Sequence, residues 1–229
     1  MIFNKKHFKV LIPARHGSKG LKNKNIISLG TKPLIQYTIE EAKNIFDTRN
    51  IFVSTNSVKI REVAEKSGIL VPNLRPKSLS GDLTPMKDVI LHFLENYKNP
   101  DYLVLLQPTS PFRKSKHILE AINELDDKTD MVVSVCESKN NPYWNLFEET
   151  KNGLLKKSKK GVYFTRQEVP KVYAYNGAIY VIKVDSMLKN KSLDFENVKK
   201  YLMNPISSID IDTIEDLQYA EFIMNQYYN

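Results

Sequence analysis

The chain predicts an α/β fold, a mostly parallel and doubly wound sheet carrying an inserted arm, and three observations lead to it. Apolar runs of strand length recur along residues 1–136, segments with helical spacing separate them, and the alternation stops over residues 137–171 before it resumes. The expected strands are 8–12, 51–54, 69–71, 102–106 and 131–135, each bounded by polar or turn residues. Between them, Leu34, Ile35, Ile39, Ala42 and Ile45 repeat every three to four positions. Val89, Ile90, Phe93, Leu94 and Tyr97 do the same, as do Ile118, Leu119, Ile122 and Leu125. Strand and helix in alternation call for crossover connections with helices on both faces.

Residues 137–171 hold few apolar runs but contain Tyr143, Trp144, Phe147, Tyr163 and Phe164. Stranded aromatics need cover, so this segment is expected to be a dimerisation arm, with residues 1–136 and 172–229 forming one catalytic domain. The chain returns to the core at 178–182, continues through an extended stretch at 208–212, and ends in a helix that starts at Thr213. That helix has a capping threonine and two first-turn acids, Glu215 and Asp216.

A hydrophobic content of 41% and a charged content of 26% suit a folded soluble protein, and no run reaches the roughly eighteen apolar residues of a membrane span. With no apolar leader at the N-terminus, a cytoplasmic protein without a membrane partner is expected. The one cysteine, Cys136, excludes a disulfide framework and is expected to be a buried, inert thiol. The net charge of +8 raises a nucleic-acid hypothesis, but the cations are scattered and the densest run, Lys156-Lys157-Ser158-Lys159-Lys160, is short. A highly anionic small substrate explains the same charge.

The segment from Pro13 to Asn25 follows an apolar run and places Gly17 and Gly20 among Arg15, Lys19, Lys22 and Lys24. Glycines let backbone amides approach an anion, and the carboxyl edge of a sheet is where open α/β folds bind ligands. The segment reads either as a polyphosphate loop or as a basic, solvated turn. Asp210 and Asp212, two apart in an extended stretch, leave the same face and can converge on one hard divalent cation such as Mg²⁺; alternatively Asp212 caps the last helix. Gln107, first out of its strand in Gln107-Pro108-Thr109-Ser110-Pro111-Phe112-Arg113, is positioned to touch a ligand. Arg166 offers a bidentate guanidinium for a carboxylate and Asn176 an amide, although each also reads as a surface or turn residue.

Four motifs, in order across nearly the whole chain, resemble the acylneuraminate cytidylyltransferases: Ile12-Pro13-Ala14-Arg15 with Gly17-Ser18-Lys19-Gly20 and Lys24-Asn25; Leu106-Gln107-Pro108-Thr109-Ser110-Pro111; Asn176-Gly177-Ala178-Ile179-Tyr180; and Asp210-Ile211-Asp212-Thr213. The resemblance implies a Rossmann-like nucleotidyltransferase, a homodimer with a swapped arm, and transfer of CMP from CTP to a nonulosonic acid with Mg²⁺. By position it implies that Arg15, Ser18, Lys19, Lys24, Asn25 and Arg75 bind the nucleotide, and that Gln107, Arg166 and Asn176 bind the sugar acid. Asp210 and Asp212 would hold the metal, and Arg15, Lys19, Asp210 and Asp212 would carry the catalysis. Two departures are visible: Thr84-Pro85-Met86-Lys87 replaces a serine-rich stretch and is similar to legionaminic-type members, and Ala174 stands where many members carry arginine. The competing readings are a nucleotidyltransferase that uses GTP and a sugar phosphate, and a basic nucleic-acid-binding module, for which no recognised motif is present.

Overall fold

The computed structural model describes residues 7–17, 20–97 and 100–227. In chain order the elements are β1 (Phe8–Pro13), β2 (Ser28–Leu29), β3 (Lys32–Pro33), α1 (Leu34–Lys43), β4 (Ile51–Ser54), α2 (Val58–Lys66), α3 (Met86–Asn96) and β5 (Tyr102–Leu106). There follow α4 (Ser115–Asn123), β6 (Met131–Glu137), β7 (Phe147–Glu149), β8 (Leu155–Lys157), β9 (Tyr173–Lys183), α5 (Val184–Asn190), β10 (Val198–Leu202) and α6 (Ile214–Tyr227).

Six strands form the main sheet in the order β10-β6-β9-β5-β1-β4. β1 runs parallel to β4 and β5, and β10 runs parallel to β6, whereas β9 is antiparallel to both its neighbours. Strand side chains alternate between faces, and the core follows that alternation. Val10 and Ile12 of β1 join Val104 and Leu106 of β5 on one face, under Ile35 and Ile39 of α1, Ile60 of α2 and Ile118 of α4. Leu11, Leu103 and Leu105 point the other way, onto Ile90 and Phe93 of α3 and Met187 of α5. Helices therefore cover both faces, as a doubly wound sheet requires. A third cluster packs Leu217 and Ile223 of α6 against Leu29, Leu34, Phe112 and Ile211. Among the described residues no helix is long and apolar enough to cross a membrane.

Several local expectations need correction. Residues 69–71 form no strand; Ile69 and Val71 are apolar because they are buried behind α2, and the Ile69 amide donates to Ala64 O at the helix end (3.0 Å). Helix α2 shows only Ile60 and Ala64 as buried positions among charged neighbours, too thin a stripe to announce itself. α5 and the lysine-bearing β10 are additional elements. The stretch 208–212 lies outside the sheet and follows a 3₁₀ turn, Ile206–Ser208. Cys136 is only half-buried, near the end of β6 where β9 still pairs with it and β10 no longer does.

The arm is structured rather than bare loop. β7 and β8 pair as an antiparallel hairpin, and Asn141, nearly buried, clasps its base by accepting from Tyr143 N (2.9 Å) and donating to Pro170 O (2.9 Å). Phe147, Leu155, Val162 and Phe164 nevertheless remain exposed.

Replacing Leu105 by Ala should remove buried volume from the centre of the sheet, at a cost of about 2–5 kcal/mol. Urea denaturation monitored by circular dichroism checks this through a lower midpoint at unchanged slope.

Candidate active site

A cavity of about 540 Å³ opens at the carboxyl edge of β1 and β5, where ligands sit in open α/β sheets. Among the described residues, three cationic side chains and two carboxylates expected from the sequence face it: Arg15, Lys24 and Arg75, with Asp210 and Asp212.

The first wall is the loop after β1. Gly17 takes a positive φ of 86°, which favours glycine. Gly20 is required for a different reason: a Cβ there would lie 2.5 Å from the carbonyl oxygen of Asp212, so the loop packs directly on the segment that carries the carboxylates. Asn25, buried, donates through Nδ2 to Arg15 O (2.9 Å) and fixes the loop from within. Arg15 donates to Gly17 O (3.0 Å) and pairs with Asp82 (2.6 Å), while Lys24 forms an ion pair with Asp212. Ser18 and Lys19 lie outside the described residues.

Arg75 is unlike these two cations. Its backbone amide donates to Thr55 O (2.6 Å), which fixes the residue at the cavity wall with only 6% of its surface exposed. Among the described residues its guanidinium has no hydrogen bond or ion pair, and buried Nε is left unpaired. Burial pushes its pKa down to about 10, and repulsion from Arg15 adds to the shift. A buried cation without a partner is costly, and an anion or carbonyl-bearing ligand would supply what it lacks.

The carboxylate wall is built by alternation without a ladder. Ile211 is fully buried and its amide donates to Thr109 O (2.9 Å), so Asp210 and Asp212 on either side face the cavity. The surrounding protein raises the pKa of Asp210, and repulsion from Asp212 adds to that; a hydrogen bond from Thr109 and the charge of Lys24 oppose it. Asp212 precedes the last helix but does not cap it with its side chain, which pairs with Lys24. The Asp212 amide and that of Thr213 donate to Asp216 Oδ2 (3.0 and 2.8 Å), and Thr213 Oγ1 accepts from Asp216 N (3.2 Å), a reciprocal capping box. Among the described residues no three His, Cys, Asp or Glu side chains gather as a metal cage. Two carboxylates beside an anion site fit a cation that takes its remaining ligands from phosphate and water, as Mg²⁺ does.

The expected sugar-side residues separate. Gln107 lines the cavity, its carbonyl held by Thr38 Oγ1 (3.3 Å) and Arg113 Nη1 (3.0 Å) while its own amide makes no hydrogen bond among the described residues. Asn176 is buried and spends its amide internally: Nδ2 donates to Ser208 Oγ (2.9 Å), and Oδ1 accepts from Ser134 Oγ (2.6 Å) and Ala178 N (3.2 Å). It props the wall, and Gly177 with a positive φ of 75° reaches the cavity in its place. Arg166 lies on the exposed arm, donates to Lys139 O (3.2 Å), and lines a different cleft. Ala174 is exposed opposite Cys136 in the β6–β9 ladder and outside the cavity, whereas Thr84 and Met86 line it.

Two residues were not singled out from the sequence: Asp82, the partner of Arg15, and Thr109, whose carbonyl accepts from the Ile211 amide between the two carboxylates. Thr109 stands in the Gln-Pro-Thr motif, the one signal that pointed to it. Asp82 had no local signal, since its role is a contact between distant segments.

A family model described as cytidylyltransferase matches residues 9–229. The N-acylneuraminate cytidylyltransferase of Streptococcus agalactiae is 38% identical over 211 residues, covering 90% of this chain and 50% of the relative, so the chain spans about half the length of that protein. The CMP-N,N'-diacetyllegionaminic acid synthase of Legionella pneumophila is 36% identical over 220 residues, covering 93% of this chain and 94% of the relative. A solved CMP:2-keto-3-deoxy-manno-octonic acid synthetase complexed with CTP superposes with a TM-score of 0.69 at 16% identity, covering 96% of this chain and 98% of that one, which shows a shared fold.

Arg75→Met should leave the melting temperature unchanged or raise it, because an unpaired buried charge is removed. The same change should weaken CTP binding about 10–100-fold, the worth of a hydrogen bond to a charged group. Calorimetric titration together with a thermal melt checks both directions.

Proposed function

The chain belongs to the cytidylyltransferase family, and on that premise we propose that it transfers CMP from CTP to the anomeric hydroxyl of a nine-carbon sugar acid, of the legionaminic or sialic class, and releases pyrophosphate. The observation that carries this reading is the opposition, within one cavity, of the buried unpaired Arg75 and the loop cations to Asp210 and Asp212. The names of relatives from both sugar classes support the acceptor.

Arg15 and Lys24 are held by Asp82 and Asp212 before substrate arrives, so a triphosphate enters by exchanging its oxygens for those carboxylates. The anomeric oxygen then forms a bond to the α-phosphorus, the bond from that phosphorus to the bridging oxygen breaks, and pyrophosphate leaves in line. The loop amides and cations stabilise the leaving charge, and the hydroxyl proton passes to the carboxylate side of the cavity. Magnesium, for which Asp210 and Asp212 are the ligands at hand, would supply charge neutralisation on the phosphate oxygens. Gln107 and Gly177 line the side left for the sugar acid. Met86 in the lining favours a sugar that presents a methyl group over one that presents a hydroxylated tail.

The exposed apolar residues of the arm suit burial in a homodimer, with Arg166 of each arm serving the partner's acceptor site. Residues 137–171 would then be the dimerisation element and the rest of the chain the catalytic one.

Pyrophosphate release should require CTP, Mg²⁺ and a nonulosonic acid together, and Asp210→Asn should lower kcat about 10²–10³-fold. Equal turnover with GTP and a hexose phosphate would overturn the reading. Comparison of kcat/KM for legionaminic-type and N-acetylneuraminic acids should favour the former by about 10–200-fold. Sedimentation should give a dimer of the 26.5 kDa chain, and deleting the arm should give a monomer of reduced activity.

A further inference from the structure

Arg113 heads the large fully buried side chains, and the reaction described above makes no direct use of it. Its Nη1 donates to Gln107 O (3.0 Å) and to Ala178 O (3.0 Å), its Nη2 donates to Thr38 Oγ1 (2.5 Å), and its Nε is unpaired. Among the described residues no carboxylate compensates it at close range: Glu41, which attracts it from further away, is engaged with Lys114 (3.5 Å) and the Ser115 amide (2.6 Å). Packing alone would be served better by an apolar side chain of the same size, since such a replacement for a buried charge is often neutral or stabilising.

The guanidinium gives what an apolar side chain cannot: a planar fork that fixes three elements at once. Gln107 is the exit of β5, Ala178 lies in β9 directly after Gly177, and Thr38 is in α1. Gln107 and Gly177 both line the cavity, and the fork reaches Gln107 through its backbone carbonyl, the side chain itself making no hydrogen bond among the described residues. Arg15, Lys24 and Arg75 are held by separate contacts that do not involve this fork.

We propose that Arg113 is a positioning residue that sets the spacing between Gln107 and Gly177, and with it the seat of the acceptor sugar acid, while leaving the nucleotide side independent. This rests on the CMP-transfer reading above.

Arg113→Lys keeps a cation but replaces the fork by one ammonium. The KM for the sugar acid should rise about tenfold and kcat should fall by up to about 10²-fold, the scale of an ångström-level misplacement. The CTP dissociation constant, measured without sugar acid, should stay within about threefold of wild type. A merely structural role would lower kcat through a smaller active fraction and leave both KM values alone, and that result overturns the proposal. So does a loss of CTP affinity in step with the loss for the sugar.

Thr38→Val, near-isosteric, removes one contact of the fork and the hydroxyl donor to Gln107 O. It should shift the same sugar-acid parameters by about three- to tenfold and decides the matter if the lysine variant does not fold; a wild-type sugar-acid KM in that variant overturns the proposal. A wild-type chain that binds CTP but turns over no sugar acid defeats both readings. A wild-type chain that turns over and is matched by its variants defeats only the role of Arg113.

Discussion

One backbone hydrogen bond, from Ile211 N to Thr109 O, determines how the two halves of the cavity meet. With Ile211 drawn into the cluster beneath α6, the residues on either side turn outward and become the carboxylate wall. The same segment then offers the Asp212 carbonyl as a floor, and the loop after β1 can settle on it only because Gly20 lacks a Cβ. Polar chemistry at the rim is therefore fixed by an apolar anchor. Any change that lifts Ile211 would move the carboxylates, the loop cations and the start of α6 together.

Among the described residues the charges of the cavity come close to internal neutralisation. Arg15 faces Asp82 and Lys24 faces Asp212, so most of the charge that would attract a polyphosphate is already compensated when none is bound. Such pairs contribute little to stability where they are partly exposed, and this makes them easy to exchange. Arg75 departs from this arrangement, being held in a low-dielectric wall with its charge uncompensated. The cavity thus combines contacts that can be traded for substrate with one that only a ligand completes.

How far the chain reveals this in advance depends on the range of each interaction. β1, β5 and β6 are legible because central strands buried on both faces read as continuous apolar runs, and the edge strand β4 through its short apolar run alone. α1, α3 and α4 are legible through three-turn apolar stripes. Residues 69–71 mimic a strand because burial, not pairing, selects apolar residues there. Glycines and charges at the sheet edge were visible as local pattern. The division of labour was not: Asn176 and Gly177 are neighbours, yet one is consumed by Ser208 and Ser134 while the other faces the cavity. Asp82 and Thr109 act through tertiary contacts, which leave no mark in the spacing of residues.

The arm leaves and rejoins the sheet at a single place. Glu137 and Tyr173 form a rung of the β6–β9 ladder, and just beyond it Ser138 N donates to Val172 O (3.0 Å) while Lys171 pairs with Glu137 (3.0 Å). Topologically the arm is an overgrown hairpin loop, closed at its neck and touching little of the core. Chain entropy makes such a loop dearer by only about 0.6 kcal/mol for each doubling of its length, so replacing it by a short turn would cost the fold nothing in closure. It follows that the arm is free to vary in length and surface while the sheet beneath keeps its register. Whatever maintains its exposed aromatic and aliphatic residues acts on the surface of the arm, not on the folding of the domain that bears it.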